Sequence, residues 1–558
     1  MGLGILESRT ASKVPGTVTL DEAAAHSENV TGNLKHGHGK DHHIVLVPQP
    51  SDDPNDPLNW SSFQKHVVLV IICFGTIVNG AIPGPLLNAG FVQMSMELGV
   101  SVDDLVKTSG YVLLTTGAIG IFASAAARKY GKRPVYVLSS IFAFIGVIIG
   151  ETASGYDALV ASRVIHGFGV AAYESIVVST IGDLFFVHER GLRVASVIFL
   201  LAAISNGTSI IAGVITNHLG WHYNFHILIP FVALQLVLCV LFAPETTYRR
   251  DRKYNVDTAG RAAPSEGSSL SNEKDPRAEK VEKVPSTTAE DLHLPPLPKK
   301  TFWQSLALYN GTFVDDSIFK MVIACPAILC NVGASYTIFV SGVTIAWYVA
   351  VALLSSIIFS APPYLFAADS IGYTSVGPLI GGFLSSVMMA IISDPFAKWM
   401  ARKNNGVFEP EFRIPLILVG AICSVAGLVG FGHTVAEGRS VYLACFVWGT
   451  MLFGLTNVAT TTTAYALDAY RDYSTEIFIM NMVFKNFFFY GVTEYIVDWY
   501  TTDGVAKIFD VMGGISAALC FLSLPIYIFG KKYRHFWDKY NVIKMLHLET
   551  DKTGADGG

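Results

Sequence analysis

Two long apolar segments of this chain are joined by the turn Ala127-Arg128-Lys129-Tyr130-Gly131-Lys132-Arg133-Pro134. The segments lie near 109 to 127 and 134 to 151, and a helix that crosses a lipid bilayer needs about 20 apolar residues. Basic residues in short loops mark the cytoplasmic side of a membrane protein. We therefore predict a pair of transmembrane helices whose connecting turn lies at the cytoplasmic face.

The rest of the sequence repeats this pattern of uncharged runs separated by polar loops. Six apolar segments of spanning length precede a long polar stretch, and six follow it. They lie near 66 to 88, 109 to 127, 134 to 151, 157 to 181, 194 to 217, 222 to 243, 321 to 353, 372 to 393, 414 to 433, 441 to 464, 475 to 497 and 506 to 529. We predict an all-α membrane protein with twelve transmembrane helices in two six-helix halves.

The composition argues against an ordinary soluble domain and against a nucleic-acid-binding protein. Of the 558 residues, 51% are hydrophobic and only 15% are charged, against roughly 25% charged in an ordinary soluble domain. The net charge of -5 comes mainly from tails and loops, so it suggests no nucleic-acid partner. The seven cysteines fall in apolar segments, where we expect reduced thiols. We expect no metal and no cofactor, because the cluster from His36 to His43 lies on a polar tail that enforces no ligand geometry.

The distribution of Lys and Arg sets the orientation of the helices. With twelve spans, most basic loop residues collect on the side of both termini, while the opposite face receives only Lys107, Arg439 and Lys507. This bias places both termini in the cytoplasm. A thirteenth helix between Met321 and Ala367 would reverse the second half. We therefore expect Ala361-Pro362-Pro363-Tyr364 to be an external segment, because consecutive prolines interrupt a helix.

These boundaries divide the chain into five parts. They are a cytoplasmic disordered N-terminal tail (1–65), an N-terminal six-helix half (66–243), a cytoplasmic disordered central loop (244–318), a C-terminal six-helix half (319–530) and a cytoplasmic C-terminal tail (531–558). The N-terminal tail and the central loop are too polar to bury a core. We expect a multi-pass protein of the plasma membrane, functional as a monomer, with a vacuolar membrane as the open alternative.

Helix 4 carries charged residues at membrane depth. It contains Leu159-Val160-Ala161-Ser162-Arg163-Val164-Ile165-His166-Gly167-Phe168-Gly169 and continues to Glu174. A charge at the bilayer centre costs about 2.5 to 3.5 kcal/mol on insertion scales, so Arg163 needs a partner or a functional reason. At 100° per residue, Glu174 returns to within about 20° of the face of Arg163. We predict one inward-facing polar stripe of Arg163 and Glu174, and we count His166 among the candidate coupling residues. A structural clamp, with Arg163 bonded to carbonyls, is the alternative.

The second half supplies four further candidates. Lys485 and Asn481 share a face of helix 11 and are candidate cavity residues. The alternative for Lys485 is that its ammonium extends to the membrane surface. Asp394 and Asp468 lie at the cytoplasmic ends of helices 8 and 10. There we expect gating or capping carboxylates that face basic loops.

Several of these stretches resemble the major facilitator superfamily, in particular its fungal drug:proton antiporter-like group. The turn Gly131-Lys132-Arg133 is similar to half of the family's loop motif, whereas Ser124 and Arg128 stand where that motif has Gly and Asp. Residues 159–169 closely match the second motif, with His166 where Gln is commoner. The resemblance implies the major facilitator fold and a proton-coupled transporter, with Arg163 participating in proton coupling.

Further phrases extend the resemblance from about 54 to 530. They are Asp56-Pro57-Leu58-Asn59-Trp60, Asp183-Leu184-Phe185-Phe186-Val187-His188-Glu189-Arg190-Gly191, Gly220-Trp221-His222-Tyr223-Asn224-Phe225, Pro244-Glu245-Thr246-Thr247-Tyr248 and Arg402-Lys403-Asn404-Asn405-Gly406-Val407-Phe408-Glu409-Pro410-Glu411. We assign Asp183 to the gating region of the cytoplasmic loops, which also includes Gly131, Lys132 and Arg133. Helix 5 departs from the family's antiporters, because Asn206-Gly207 stands where they usually have a Gly-Pro pair. Gly207 and Gly213 then serve close helix packing.

The expected mechanism is alternating access, in which two halves rock about a midplane cavity. Protonation of Glu174 exchanges with substrate binding, because an ionised carboxylate in a low-dielectric cavity needs a proton or a cation. Tyr173, Trp347 and Tyr348 offer aromatic faces for an organic cation, or serve as plain packing. Lys485 would instead favour an anionic group.

Three functions stay open on these residues. The leading prediction is proton-coupled export of drugs, toxins or secondary metabolites. The second is proton-coupled uptake of a small polar or cationic nutrient such as a polyamine, and the third is a non-transporting membrane sensor. An enzyme is not expected, because no spaced His boxes, nucleophile elbow or phosphate-binding Gly loop lies at a membrane face.

Overall fold

A computed structural model of the protein describes residues 3–6, 14, 16–19, 50–249, 299–404, 406–470 and 473–548. The cluster from His36 to His43, most of the predicted central loop (250–298) and the end of the C-terminal tail (549–558) lie outside the described residues. Within the described part, regular structure is almost entirely helical, and the strands are β1 Val18–Thr19 and β2 Val407–Phe408.

The first half contains eight α-helices that make six membrane crossings. They are α1 Ser62–Gly75, α2 Phe91–Leu98, α3 Val102–Tyr130, α4 Lys132–Glu151, α5 Tyr156–Ser175, α6 Val177–Leu184, α7 Val187–Leu219 and α8 His222–Phe242. The helix starts follow local capping chemistry: the Ser61 hydroxyl accepts from Gln64 N, and the Ser101 hydroxyl accepts from Asp104 N. Gly131 separates α3 from α4 at a φ of 102°, a conformation that favours glycine.

The second half repeats the arrangement with additional short helices. They are α9 Phe302–Ser305, α10 Ile318–Ala327, α11 Val332–Ser360, α12 Ala368–Thr374, α13 Val376–Lys403, α14 Ile417–Ala436, α15 Val441–Ala469, α16 Ser474–Thr493, α17 Ile496–Asp503, α18 Val505–Phe521, α19 Ser523–Lys539 and α20 Val542–Met545. Among the described residues, 10 helical stretches are long and apolar enough to cross a membrane. The helices α7 and α16 complete the predicted twelve.

The uncharged stretch from Met321 to Ala367 forms one crossing and not two. Its long helix is α11, which ends at Ser360, just before Pro362 and Pro363. The preceding helix α10 has 10 residues, too few to span a bilayer, and Asn331 begins α11 by accepting from Ala334 N. Helix 7 therefore starts and ends later than the predicted 321 to 353.

The bundle has two sides, which differ in whether they carry the chain ends. The terminal side carries the described ends of the chain and the turns at Gly131 and at 404–416. The opposite side, called the far side, carries the turns near Thr152 and Glu437.

Part of the predicted disordered tail has defined structure. The Asp56 carboxylate accepts from Leu58 N and from the Ser51 hydroxyl, and Lys65 Nζ donates to Leu58 O. The Tyr248 hydroxyl donates to Asp53 at 2.8 Å, and burial, with Asp53 beside it, raises the pKa of Tyr248 to about 12. The expectation of disorder over 1–65 therefore differs from the structure at residues 50–61, because polar side chains there satisfy one another and the backbone.

Helix 1 is interrupted before it reaches the far side of the bundle. The α-helix α1 passes into a π-helical segment at Thr76–Ala81, and a 3-10 helix follows at Pro85–Gly90. Pro83 and Pro85 lack the N–H groups that would continue the ladder. The interruption leaves the Pro83 carbonyl available to a side chain of a neighbouring helix.

Candidate substrate and coupling site

Glu174 forms an ion pair across the two halves of the protein. Its Oε1 accepts from Lys485 Nζ of α16, and its Oε2 accepts from Asn486 Nδ2 at 3.0 Å. About a fifth of each charged side chain is exposed, 20% for Lys485 and 19% for Glu174. The pair is thus held within the protein and still open to a small ligand or a proton.

Local helix geometry places both charges inside the membrane. Glu174 is the penultimate residue of α5, and the next helix, α6, starts again after the non-ideal backbone at Ile176. Lys485 lies near the middle of the 20-residue helix α16. Because a lone charge at this depth is costly, each side chain neutralises the other.

Asn486 is a site residue that the sequence analysis missed. It is almost fully buried, and its Cβ lies 3.1 Å from the position that a side chain at Gly117 of α3 would occupy. Gly117 therefore allows Asn486 to fit between α3 and Glu174. Its place next to Lys485 in the sequence was the available signal, but the candidates on this helix were chosen from the face that Lys485 shares with Asn481, and Asn486 lies one position further on.

Asn481 lies one helical turn from Lys485, and its hydrogen-bond partner belongs to the C-terminal half. Its Oδ1 accepts from the Ser341 hydroxyl of α11 at 2.8 Å. Next to it, Phe484 meets Phe339 edge-on at 4.8 Å between ring centroids. Asn481 therefore links α16 to α11 and forms part of the wall next to Lys485.

Arg163 and His166 do not join Glu174 in one site, so the predicted stripe is corrected. Both are fully buried, and Arg163 Nη1 donates to Pro83 O at 2.9 Å, at the interruption of helix 1. Residues 163 and 174 share a helix face but lie about 16 Å apart along the axis, at 1.5 Å per residue. Neither ring nitrogen of His166 has a hydrogen-bond partner among the described residues. The contact of Arg163 is the one that the clamp alternative requires.

The three aromatic residues that were candidates for binding a cation lie in different surroundings. The Tyr173 hydroxyl hydrogen bonds with Ser140 and accepts from Gln235 inside the N-terminal half, so Tyr173 packs away from Lys485. Trp347 meets Phe488 edge-on at 5.5 Å between ring centroids. Tyr348 is different, because its hydroxyl lies near Ser205 and Asn206 of α7 and so faces the other half.

On the terminal side, the loop of the first half is held by charges. Lys132 Nζ donates to Asp183 at 2.5 Å. The Glu245 carboxylate accepts from the backbone N–H groups of Lys132 and Arg133, and the Arg133 guanidinium donates to Ala243 O and Val240 O. The segment that follows α8 therefore fastens the turn between α3 and α4.

The equivalent loop of the second half carries charges of both signs. Arg413 binds both predicted gating carboxylates, with Nη1 3.0 Å from Asp394 and Nε 2.6 Å from Asp468. Buried Arg534, in α19, donates to Glu409 and Glu411 at 2.8 Å. Two acidic residues of this loop thus bind a basic terminal helix, whereas in the first half acidic Glu245 binds a basic turn.

Comparison with known proteins decides the family. The sequence pattern of the Major Facilitator Superfamily matches residues 67–491, which is most of the chain. The chain belongs to the Major Facilitator Superfamily. This membership and the helical architecture confirm the predicted fold, and they make the protein a multi-pass membrane transporter.

Relatives and solved structures of this superfamily resemble the chain over most of its length. An uncharacterized MFS-type transporter of Schizosaccharomyces pombe is 27% identical and covers 98% of this chain and 98% of its own. Protein HOL1 of Saccharomyces cerevisiae is 24% identical, over 90% of this chain and 92% of its own. The structure of a D-xylose-proton symporter matches with a TM-score of 0.58 at 11% identity, over 84% of this chain and 99% of that chain.

The superfamily loop motif is altered in this member at Arg128, and the structure shows what the altered residue contacts. Arg128 Nη1 lies 3.2 Å from Glu476 Oε1, and the side chain of Glu476 is only 3% exposed. Arg128 lies in the last turn of α3 and Glu476 in the first turn of α16. Each charge therefore also faces the favourable end of its own helix dipole, and the pair joins the halves on the terminal side.

Proposed function

We propose that this protein is a proton-coupled secondary transporter that exports cationic drugs, toxins or secondary metabolites by alternating access. The observation that carries the proposal is the ion pair of Glu174 with Lys485. It lies within the membrane, connects the two halves and keeps part of its surface open. An intramembrane ionisable pair of this kind is by default a functional site.

The chemistry of the proposal is competition for one carboxylate. Ionised Glu174 requires a positive partner in a low-dielectric cavity, and Lys485 is that partner when neither proton nor substrate is bound. A proton or an organic cation would each displace the Lys485 ammonium. Because proton and cation exclude each other at Glu174, they move in opposite directions, which is antiport.

Alternating access follows from where the contact lies. The ion pair of Glu174 with Lys485 and the pair of Arg128 with Glu476 join the halves through side chains, and such bonds break and reform more readily than a packed core. Neutralising Glu174 removes its attraction for Lys485 and permits the halves to separate on one side. We assign the terminal side to the cytoplasm of a plasma-membrane protein, on the basis of the Lys and Arg distribution.

A second candidate function is proton-coupled uptake by symport. It is favoured by Asn206-Gly207, which stands where antiporters of the family usually have a Gly-Pro pair. Protonation of Glu174 would also free the Lys485 ammonium to hold an anionic group. Proton and substrate would then be bound together and would travel in the same direction.

The test is transport by purified protein in sealed proteoliposomes with an imposed pH gradient. A panel of organic cations, polyamines, organic anions and hydrophobic drugs is compared for the wild type, Glu174→Gln and the control Glu151→Gln, whose carboxylate pairs with exposed His226 at the far side. The proposal expects gradient-driven movement of a cation against the proton, lost in Glu174→Gln and kept in the control. Movement with the proton supports symport, and unchanged transport by Glu174→Gln refutes coupling through this residue.

A further inference from the structure

The first described residues of the chain are docked on the terminal side of the C-terminal half. The Leu6 N–H donates to Ile528 O at 3.0 Å, and the Tyr527 hydroxyl of α19 donates to Leu3 O at 2.7 Å. Ile5 is buried in a cluster with Met400 and Phe412. These contacts are formed by a segment that the sequence assigned to a disordered tail.

A second set of contacts continues the docking through backbone pairing. Strand β1 pairs antiparallel with β2, with Val18 opposite Phe408 and Thr19 opposite Val407. The loop between α13 and α14 thus has its strand edge covered by the N-terminal segment. Addition of a strand to an exposed edge is a general mode of peptide recognition.

The turn before β1 fits the buried charge cluster closely. Gly16 has a φ of 82°, and a Cβ there would lie 2.9 Å from Asp468 O and 3.1 Å from Arg534 Nη1. The Thr17 hydroxyl donates to Glu409 Oε2 at 2.7 Å. Only glycine meets both demands at residue 16, because the conformation is left-handed and the space is closed.

We propose that the terminal-side face of the C-terminal half is a peptide-binding surface and that its occupant is the chain's own N-terminal segment. The surface consists of β2, the adjoining ends of α13 and α15, and α19. The segment binds this surface through three features: the apolar side chain of Ile5, the turn at Gly16 and the paired strand Val18–Thr19.

This docking gives the two halves a second connection besides the central loop, and it is held by non-covalent contacts. The N-terminal segment is bound to the C-terminal half, whereas the chain from residue 50 onwards leads into α1 of the N-terminal half. The surface also includes the backbone of Asp468, whose carboxylate binds Arg413. Release of the segment would therefore uncover the charged contacts of the second-half loop and remove the second connection.

The test needs no knowledge of the transported substrate. A variant lacking residues 2–19 is compared with one lacking residues 22–39, an equal number of residues, and with the full-length protein in detergent. A fluorescent peptide of residues 1–20 is titrated onto each, and thermal melting is recorded. The proposal expects the peptide to bind the 2–19 deletion, to raise its melting temperature, and to bind the other two proteins at least roughly tenfold more weakly, because their surface is occupied.

Two further variants keep the outcome decisive if the deletion folds poorly. In full-length protein, Ile5→Asp should expel the segment and increase peptide binding, since a charge cannot enter the Met400–Phe412 cluster. Val18→Pro in the peptide should weaken binding about fivefold to tenfold, because proline removes an N–H and disfavours pairing.

Three results would overturn the proposal. They are no binding to the deletion variant, equal binding to the full-length protein, and a full-length dimer in which one copy's segment occupies the other copy's surface.

Discussion

Gly213 of α7 lies against the backbone of Ala368 in α12, so close that a Cβ at residue 213 would be 2.5 Å from Ala368 O and 3.1 Å from the Cα of Gly372. Helix 5 and helix 8 of opposite halves therefore meet by backbone contact at this point. The predicted packing role holds for Gly213. It does not hold for Gly207, because a Cβ at residue 207 meets no described atom within 4 Å.

A matched pair of substitutions in α7 tests this contact. Gly213→Ala should destabilise the protein by about 1 to 3 kcal/mol, because packed helix backbones cannot give way. Gly207→Ala should be neutral or stabilising by up to about 1 kcal/mol, since alanine favours helix and meets open space. The measurement is the melting temperature in detergent together with the monodisperse yield. Equal losses for both variants would contradict the assignment.

Charge reversal at the terminal side tests the Arg128–Glu476 pair. Arg128→Glu and Glu476→Arg should each loosen the contact between α3 and α16 by placing like charges together, and the double reversal should restore it. Cys325 is buried in the neighbouring α10 cluster and reports the opening. In a variant that keeps only this cysteine, maleimide labelling should be severalfold faster in each single reversal and near the wild-type rate in the double. Labelling that stays fast in the double reversal would argue against a direct pair.

The central ion pair gives a stability prediction that does not depend on transport. Lys485→Met leaves Glu174 without its positive partner and should cost about 1 to 3 kcal/mol, less than for a fully sealed pair because both side chains are a fifth exposed. Adding Glu174→Gln should recover most of the loss, since no charge then remains unpaired. Thermal melting of the two single variants and the double variant at pH 7.5 measures the coupling. Additive losses would show that the two side chains do not interact in the membrane.

Two neighbouring residues of helix 4 should respond differently to substitution. Arg163→Met should lower the melting temperature, because Pro83 O loses its donor at the interruption of helix 1. His166→Gln should leave both stability and transport near wild type, because neither ring nitrogen contacts a partner in the described structure. Arg163→Lys serves as the charge-preserving control. If Arg163→Met keeps full stability but loses transport, Arg163 is a coupling residue and not a clamp.

The membrane crossings were predictable because run length and charge are local properties of the sequence. The break at Pro362 and Pro363 was found for the same reason. The partner of Glu174 was not predictable, since Lys485 is 311 positions away and no sequence pattern links α5 to α16. The polar stripe failed on a different point: periodicity gives the face of a helix but ignores the rise between Arg163 and Glu174.

The docking of the first residues was not predicted, because the whole tail was judged by its average polarity. Residues 1–65 are polar on average, yet Ile5 and Val18 supply the apolar and strand-forming positions that bind the second half. A short segment can bind a preformed surface without burying a core of its own. Average polarity therefore says little about individual positions that have a folded partner.

Two terminal-side contacts are reversed in sign, Glu245 on a basic turn and Arg534 on two carboxylates, and this has a consequence for assembly in the membrane. During synthesis, both halves present similar hairpins that need a partner from a later helix of their own half. A mistaken exchange would bring Glu245 next to Glu409 and Glu411, and Arg534 next to Lys132 and Arg133. Both exchanges join like charges and cost free energy. The reversed signs at Glu245 and Arg534 therefore favour pairing of the segment after α8 with the first loop and of α19 with the second.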